Sequence, residues 1–238
     1  MNKDDICIII PSRIGSTRLK NKPLVEINGM TLIQRVAINA LNITENVYIA
    51  TDSILIKDNL KQITNNVVMT SSNHISGTDR VCEAANKLNL DDNTFILNLQ
   101  GDEPFIPNEL ISNVINDYSK NTCNVITVSS EITSNEDLNN PNRVLVEIDN
   151  NNYATSFART GNTENPKRHI GIYGYNFKTL NQLVNLDPTK NELKHKLEQL
   201  RFLENNYSIY VSHYQGYMPH GIDTEDDLKA AADYLVNK

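Results

Sequence analysis

The chain has 238 residues, with 22 lysines and arginines against 29 aspartates and glutamates, which gives a formal net charge of −7. This acidic balance argues against nucleic-acid binding, which needs a basic surface. No apolar run approaches the ~20 residues of a membrane-spanning helix. Three widely spaced cysteines form neither a disulfide framework nor a zinc site. We therefore expect a cytoplasmic protein with a single domain over residues 1–238, large enough to fold without disulfides.

The first half of the sequence alternates apolar runs with helical patterns. The runs predict strands at residues 6–10, 47–50, 67–69, 94–99 and 124–128. The segments between them predict helices that start after Thr31 and after the Thr51-Asp52-Ser53 turn, and at residues 79–88 and 108–118. Alternation of this kind is typical of βαβ units. It predicts an α/β fold, with a mainly parallel sheet and helices on both faces.

The rhythm changes after about residue 131. Strands are predicted at 144–148, 153–157 and 170–175, with a hairpin turn at 149–152 and no long helix between them. A helix at 191–204, a strand at 208–212 and a closing helix at 225–236 complete the pattern. We therefore predict a β-rich sub-lobe at about 131–178 within the one domain.

A basic loop at residues 11–23 follows the first predicted strand and carries Arg13, Arg18, Lys20 and Lys22. In an open parallel sheet, ligands bind beyond the carboxyl ends of the strands. Fixed cations and exposed amides suit a polyphosphate, although the loop lacks the Gly-Lys-Ser/Thr ending of a Walker motif. A solvated basic loop is the alternative, and the position after strand one favours phosphate.

Two acidic positions are candidates for a magnesium site. Asp102 lies in Gly101-Asp102-Glu103-Pro104, directly after the strand predicted to be central. Carboxylates at a strand end suit Mg²⁺, although an acidic turn is the alternative. Farther on, Thr224 and Asp227 form a capping box before the last helix. That box does not explain Asp223, which could be a second metal ligand.

Two further polar segments could contact a substrate. In residues 71–80, Ser76, Gly77 and Arg80 could contact a nucleobase and ribose, or Thr78 or Asp79 could simply cap the next helix. In residues 168–175, the period of a strand places His169, Gly171 and Tyr173 on one face. That face could be the wall of a pocket for a hydroxylated substrate; half-buried strand aromatics are the alternative.

Seven segments, in this order, resemble the CMP-Kdo synthetase (3-deoxy-manno-octulosonate cytidylyltransferase) family. Each is weak alone, but seven in register over residues 8–228 are specific. The segments are residues 11–24, 50–52, 76–80, 100–104, 169–173, 197–201 and 221–224.

This resemblance implies a nucleotide-diphospho-sugar transferase fold whose small β-rich lobe forms a homodimer. The implied reaction joins CTP and Kdo, an acidic eight-carbon sugar, to give CMP-Kdo and pyrophosphate for lipopolysaccharide or capsule synthesis. Arg13 and Lys22 would hold the CTP phosphates, and Asp102 and Asp223 would hold Mg²⁺; these four are the implied catalytic residues. Substrate-binding residues would be Ser76, Gly77 and Arg80 for cytidine, and Gln100, His169, Tyr173, Glu198 and Gln199 for the sugar.

The chain departs from the family pattern in two places. Ser12 and Ile14 stand where the family usually has alanine and an aromatic residue. The segment 159–168 is shorter than expected and lacks the Ser-Arg-x-Pro-Ile-Pro pattern. An 8-amino-Kdo or sialic-acid-like sugar is therefore an alternative substrate. A catalytically silent nucleotide-binding protein of the same fold is the other alternative, against which the presence of both Asp102 and Asp223 argues.

Overall fold

The computed structural model describes residues 5–15, 18–132, 138, 140, 143–160, 165–216 and 218–236. The strands are β1 Ile6–Ser12, β2 Glu26–Ile27, β3 Met30–Thr31, β4 Val47–Thr51, β5 Val67–Met69, β6 Phe95–Asn98, β7 Val125–Ser130, β8 Leu145–Ile148, β9 Ala154–Ala158, β10 Lys167–Asn176 and β11 Ile209–Tyr214. The helices are α1 Leu32–Leu41, α2 Ile54–Leu60, α3 Gly77–Lys87, α4 Asn108–Lys120, α5 Phe177–Val184, α6 Lys190–His195, α7 Gln199–Glu204 and α8 Glu225–Val236, with a 3₁₀ turn at Lys22–Leu24.

The main sheet of the described residues has nine strands, with the backbone order β11-β7-β10-β6-β1-β4-β5. Strand β1 pairs in parallel with both β4 and β6, and β4–β5 and β7–β11 are also parallel. Only β10 breaks the direction of this row, since it runs antiparallel between β6 and β7. Strands β8 and β9 extend the sheet from the beginning of β10. The predicted mainly parallel sheet is confirmed, and β6 is its central strand.

The alternation of β1 explains why helices cover both faces of the sheet. Ile8 and Ile10 point into a core formed with α1 and α4, while Cys7 and Ile9 point into a second core formed with α3, α5 and α7. All four side chains are at most 2 % exposed. A strand that is apolar on both faces is stable only when both faces are covered. The predicted helices on both faces are confirmed.

The predicted helix at 191–204 is two helices, α6 and α7. Lys196 lies between them in the left-handed region, at φ 53°, which interrupts the helical hydrogen-bond pattern. On either side of this break, Leu193 is 66 % exposed, whereas Leu197 is 3 % exposed. Helix α5 was not predicted at all, although Asn176 caps it by accepting a hydrogen bond from the backbone N–H of Thr179.

A third, small apolar cluster joins distant parts of the chain. Leu19, Ile27 and Leu32 pack against Ile222 and Ala231. This packing holds the segment before α8 against the loop that follows β1. Of the helices in the described ranges, none combines the length and apolarity needed to cross a membrane.

Candidate active site

The carboxyl ends of β1, β4, β5 and β6 meet at one edge of the sheet. This is a consequence of their parallel pairing, and it brings together the polar loops that follow them. The segment before α8 joins the same edge, because the backbone N–H of Ile222 donates a 2.9 Å hydrogen bond to the carbonyl of Asp102. Segments far apart in the sequence therefore converge on one place.

Three predicted residues form an ion-pair cluster at this edge. The Lys22 ammonium lies 2.7 Å from Asp102 Oδ2 and 2.9 Å from Asp223 Oδ1. Arg18 Nη2 lies 3.0 Å from the same Asp223 oxygen. Burial alone would lower the pKa of Lys22, but Asp102 and Asp223 raise it, so the ammonium stays charged. The two carboxylates predicted to act together do converge on a single cation.

This donor set fits Mg²⁺. Two carboxylates that share one ammonium present hard oxygen atoms to one point, and Mg²⁺ typically binds one or two carboxylates together with substrate phosphates. Among the described residues there is no cluster of three or more His, Cys, Asp or Glu that could hold a metal. A magnesium ion here would therefore need further oxygen ligands from a substrate or from water.

A first cavity of about 440 Å³ opens at the ends of β1 and β6. Its lining includes eight of the predicted residues: Arg13, Lys22, Ser76, Gly77, Arg80, Gln100, Asp102 and Asp223. Arg13, Arg18 and Lys22 supply positive charge near the two carboxylates, and the start of α3 forms another part of the wall. The cavity thus combines a cationic region with a helix N-terminus, and both favour an anionic ligand.

The start of α3 differs in detail from the prediction. Ser76, rather than Thr78 or Asp79, is the N-cap, because its Oγ accepts a 3.1 Å hydrogen bond from the backbone N–H of Asp79. Arg80 is 2 % exposed and donates to Thr70 Oγ1 at 2.6 Å and to Asp52 Oδ2 at 3.2 Å. These bonds hold the guanidinium as a fixed positive charge in the cavity wall.

A second cavity of about 530 Å³ lies on the other side of the carboxylates. Its lining includes the predicted residues His169, Tyr173 and Gln199, together with Arg143, Arg159, Arg168 and Lys196. Arg18, Asp102 and Asp223 line both cavities. The carboxylate pair is therefore a shared wall between two spaces, each large enough for a small substrate.

His169 and Tyr173 line the second cavity as predicted from the period of the strand. Thr127 Oγ1 donates to the carbonyl of Ile172 at 2.7 Å, so the 2.9 Å hydrogen bond between Thr127 and His169 is donated by Nε2–H of the imidazole. Burial lowers the pKa of His169 to about 3, and burial with the nearby Glu198 raises that of Tyr173. Both side chains are therefore neutral hydrogen-bonding groups.

Glu198, predicted to contact the sugar, links two helices. It lines neither cavity, and its carboxylate accepts hydrogen bonds from Thr78 Oγ1 at 2.6 Å and from Arg201 Nη2 at 2.9 Å. Burial raises its pKa, while these donors oppose that effect. Glu198 thereby connects α3, which borders the first cavity, to α7, which borders the second.

The family model described as Cytidylyltransferase matches residues 7–209. The chain belongs to this family. It is 40 % identical to 3-deoxy-manno-octulosonate cytidylyltransferase of Psychromonas ingrahamii, over 96 % of this chain and 98 % of that protein. It is also 40 % identical to the protein of the same name in Francisella tularensis subsp. novicida, over 94 % of this chain and 96 % of that protein.

Comparison with solved structures agrees with this cytidylyltransferase assignment. The structure of CMP:2-keto-3-deoxy-manno-octonic acid synthetase complexed with CTP superposes with a TM-score of 0.89 at 29 % identity, covering 98 % of each chain. The fold of a 4-diphosphocytidyl-2C-methyl-D-erythritol synthase from Anaerococcus prevotii is also alike, with a TM-score of 0.61 at 17 % identity and coverage of 97 % of this chain and 98 % of that one. The predicted nucleotidyltransferase fold is confirmed.

Sequence reasoning missed several residues of this cytidylyltransferase site. Arg143, Arg159 and Lys196 line the second cavity but lie in unrelated segments, and no local motif marks them. Glu103 lies in the segment 100–104 beside Asp102, and burial, with the charge of Asp102, raises its pKa to about 8. A methyl group at Gly221 would lie 2.8 Å from Glu103 Oε1, so glycine allows these two segments to meet.

Proposed function

We propose that this chain transfers the cytidylyl group of CTP to 3-deoxy-manno-octulosonate and releases pyrophosphate. The observation that carries the proposal is the shared wall, because Arg18, Asp102 and Asp223 line both cavities. A reaction between two substrates needs them side by side at one point of charge compensation. The names of the relatives identify the two substrates that would occupy these spaces.

CTP would occupy the first cavity. Arg13, Arg18 and Lys22 provide three cations along its lining, which would offset the charge of a triphosphate. Ser76 and Gly77 at the start of α3 would contact the nucleoside. Arg80, held by Asp52 and Thr70, would act as a fixed donor that needs no reorganisation when the nucleotide binds.

The acidic sugar would occupy the second cavity. Arg143, Arg159, Arg168 and Lys196 make this lining attractive to a carboxylate. His169, Tyr173 and Gln199 offer neutral donors and acceptors to sugar hydroxyls. Gln100 lies between the two spaces: it lines the first cavity, and its Cγ is 3.8 Å from the position of a methyl group at Gly171.

The chemistry requires positioning and charge neutralisation more than covalent help. The anomeric hydroxyl of the sugar would attack the α-phosphorus while the bond to pyrophosphate breaks. Lys22, which contacts Asp102 and Asp223 in this structure, would turn to the phosphates and stabilise their charge. Mg²⁺, held by those two aspartates, would supply further compensation of phosphate charge.

We also propose a cytoplasmic homodimer that associates through the β-rich segment from residue 144 to residue 175. Cys7, Cys82 and Cys123 are all free thiols, which fits a reducing compartment. The β8–β9 hairpin lies at the margin of the sheet and offers an edge for association. Light scattering at micromolar concentration should give twice the monomer mass; a monomer would contradict this part of the proposal.

The reaction is tested by pyrophosphate release from CTP with a panel of acceptors. We expect turnover only with an acidic ulosonate and Mg²⁺ together, and fastest turnover with Kdo. Faster turnover with 8-amino-Kdo or with a sialic acid would change the substrate assignment but keep the cytidylyl transfer. Equal turnover with hexose phosphates, or none with any acidic sugar, would contradict the proposal.

A further inference from the structure

Ser12 has a buried hydroxyl that no neighbour explains. Ser12 is the last residue of β1. Its side chain is 6 % exposed, and the residue lines the first cavity. Its Oγ makes no hydrogen bond within the part of the chain that the structure describes. Buried hydroxyl groups nearly always have a partner, because an unpaired one loses its bonds to water without compensation. Because Ser12 lines the first cavity, a ligand bound there would supply the missing partner.

The position of this hydroxyl is fixed by rigid elements. Ser12 pairs with Thr51 in the β1–β4 ladder, so its backbone cannot swing away from the cavity. On the other side lies the loop after β6, where a methyl group at Gly101 would be 3.6 Å from Ser12 Oγ and 2.9 Å from the carbonyl oxygen of Pro11. A group held on a strand between two fixed backbones is preorganised for binding.

Ser12 also lies between the two chemically different parts of the first cavity. Arg13 and Lys22 follow it on the cationic side, while its predecessor Pro11 faces Gly77 at the start of α3, where a methyl group would be 3.5 Å from the proline ring. A nucleotide that extends from α3 to the cations would place its ribose or its α-phosphate near Ser12.

We propose that Ser12 Oγ donates a hydrogen bond to a ribose or α-phosphate oxygen of the bound nucleotide. This inference rests on the proposed function, under which the nucleotide occupies the first cavity. It adds a neutral donor to the cationic residues already assigned there, and it gives the buried hydroxyl its partner.

The test compares Ser12→Ala with Ser130→Ala. Ser130, at the end of β7, is also 6 % exposed, also lacks a hydrogen-bond partner among the described residues, and lines neither cavity. Titration calorimetry with CTP and Mg²⁺ should show an affinity about fivefold weaker for Ser12→Ala and unchanged for Ser130→Ala. The melting temperature of the free protein should stay constant or rise in both variants, since each loses an unsatisfied group.

Cytidine, CMP and CTP distinguish the two acceptor oxygens. An equal loss of affinity for all three places the bond on the ribose, and a loss for CMP and CTP alone places it on the phosphate. Unchanged CTP affinity in Ser12→Ala, an equal loss in Ser130→Ala, or a lower melting temperature of Ser12→Ala would overturn the proposal. If the unsubstituted protein itself fails to bind CTP, the proposed function fails instead.

Discussion

The two cavities are built in different ways. The first follows from the parallel part of the sheet, because most of its lining comes from loops directly after β1, β5 and β6. Apart from Arg18, Asp102 and Glu103, the second is lined by residues scattered from Asn140 to Asp227, around the antiparallel strand β10 and the break at Lys196. Under the proposed function, the first would hold the nucleotide and the second would select the sugar. Substitutions in the wall that the two cavities share should have the largest effects on kcat.

The largest effect is expected at that wall. Asp102→Asn should reduce kcat by a hundredfold or more, because losing ~3 kcal/mol of transition-state stabilisation has that consequence. Asp223→Asn should behave alike. The double variant should fall far less than the product of the two single effects, since both carboxylates act through one cation. Steady-state pyrophosphate release measures all three.

Asp226→Asn is the matched control for this prediction. Asp226 lines the second cavity, but its side chain is 93 % exposed and pairs with Lys229 at the surface. Like Asp102→Asn and Asp223→Asn, Asp226→Asn removes one carboxylate charge near the shared wall, but it should leave kcat nearly unchanged. Near-normal turnover of Asp223→Asn would show that Asp223 is only a turn residue.

A second substitution tests whether the cavities are separate in function. Tyr173 lines only the second of the two. Tyr173→Phe should raise the KM for the acidic sugar about tenfold, as expected for one lost hydrogen bond in a closed site, and leave the KM for CTP unchanged. An equal rise in both KM values would contradict the prediction that the two cavities bind different substrates.

Acid should lower the stability of the folded protein through His169, which lines the second cavity. Burial lowers its pKa in the folded protein from 6.5 to about 3, so below pH 6.5 the unfolded chain binds a proton that the folded chain does not. Stability should therefore decrease as the pH falls from 6.5 towards 3, by about 1–2 kcal/mol at pH 5. Urea unfolding at pH 7 and pH 5 should show this loss, and His169→Gln should remove it. Equal pH dependence in both proteins would contradict the assigned cause.

The smallest effect is expected one residue from Asp223. Thr224 Oγ1 accepts a 3.2 Å hydrogen bond from the backbone N–H of Asp227, and the Asp227 carboxylate accepts one from the Thr224 N–H at 2.8 Å. Thr224→Ala should lower the free energy of unfolding by about 1 kcal/mol, as for other lost N-caps. Most activity should remain, because the aspartate is retained. A large loss of kcat with unchanged stability would give Thr224 a role in the reaction.

How much was predictable depended on how local the signal was. Lys22 and Asp102 lie in the segments that follow β1 and β6, so the parallel pattern predicts that they lie at one edge of the sheet. Asp223 was found by elimination, as the residue that the capping box left unexplained. The sequence does not predict that Lys196 interrupts the helix, because a lysine is compatible with the helical pattern.

Helix α5 and the contacts around the second cavity depend on features that a local sequence pattern does not show. The short helix α5 is amphipathic over only eight residues, and short periods are easily read as loops. The sugar-binding role of Glu198 stays a prediction; its carboxylate accepts hydrogen bonds from Thr78, 120 positions away, and from Arg201, three positions away. The cations of the second cavity come together only through tertiary packing, so their spacing in the sequence does not predict them.

The ion pair between Lys22 and Asp223 also has a consequence for the order of folding. It spans 201 positions of the chain, and the apolar contacts of Ile222 and Ala231 with Leu19 and Leu32 close the same loop. Contacts of such separation form late, because the entropy of closing a long loop must first be offset by other structure. During synthesis, the sheet and the basic loop that follows β1 can form before residues 218–236 emerge. The protein should acquire its reactive centre only in the last step, when the end of the described chain docks on its beginning.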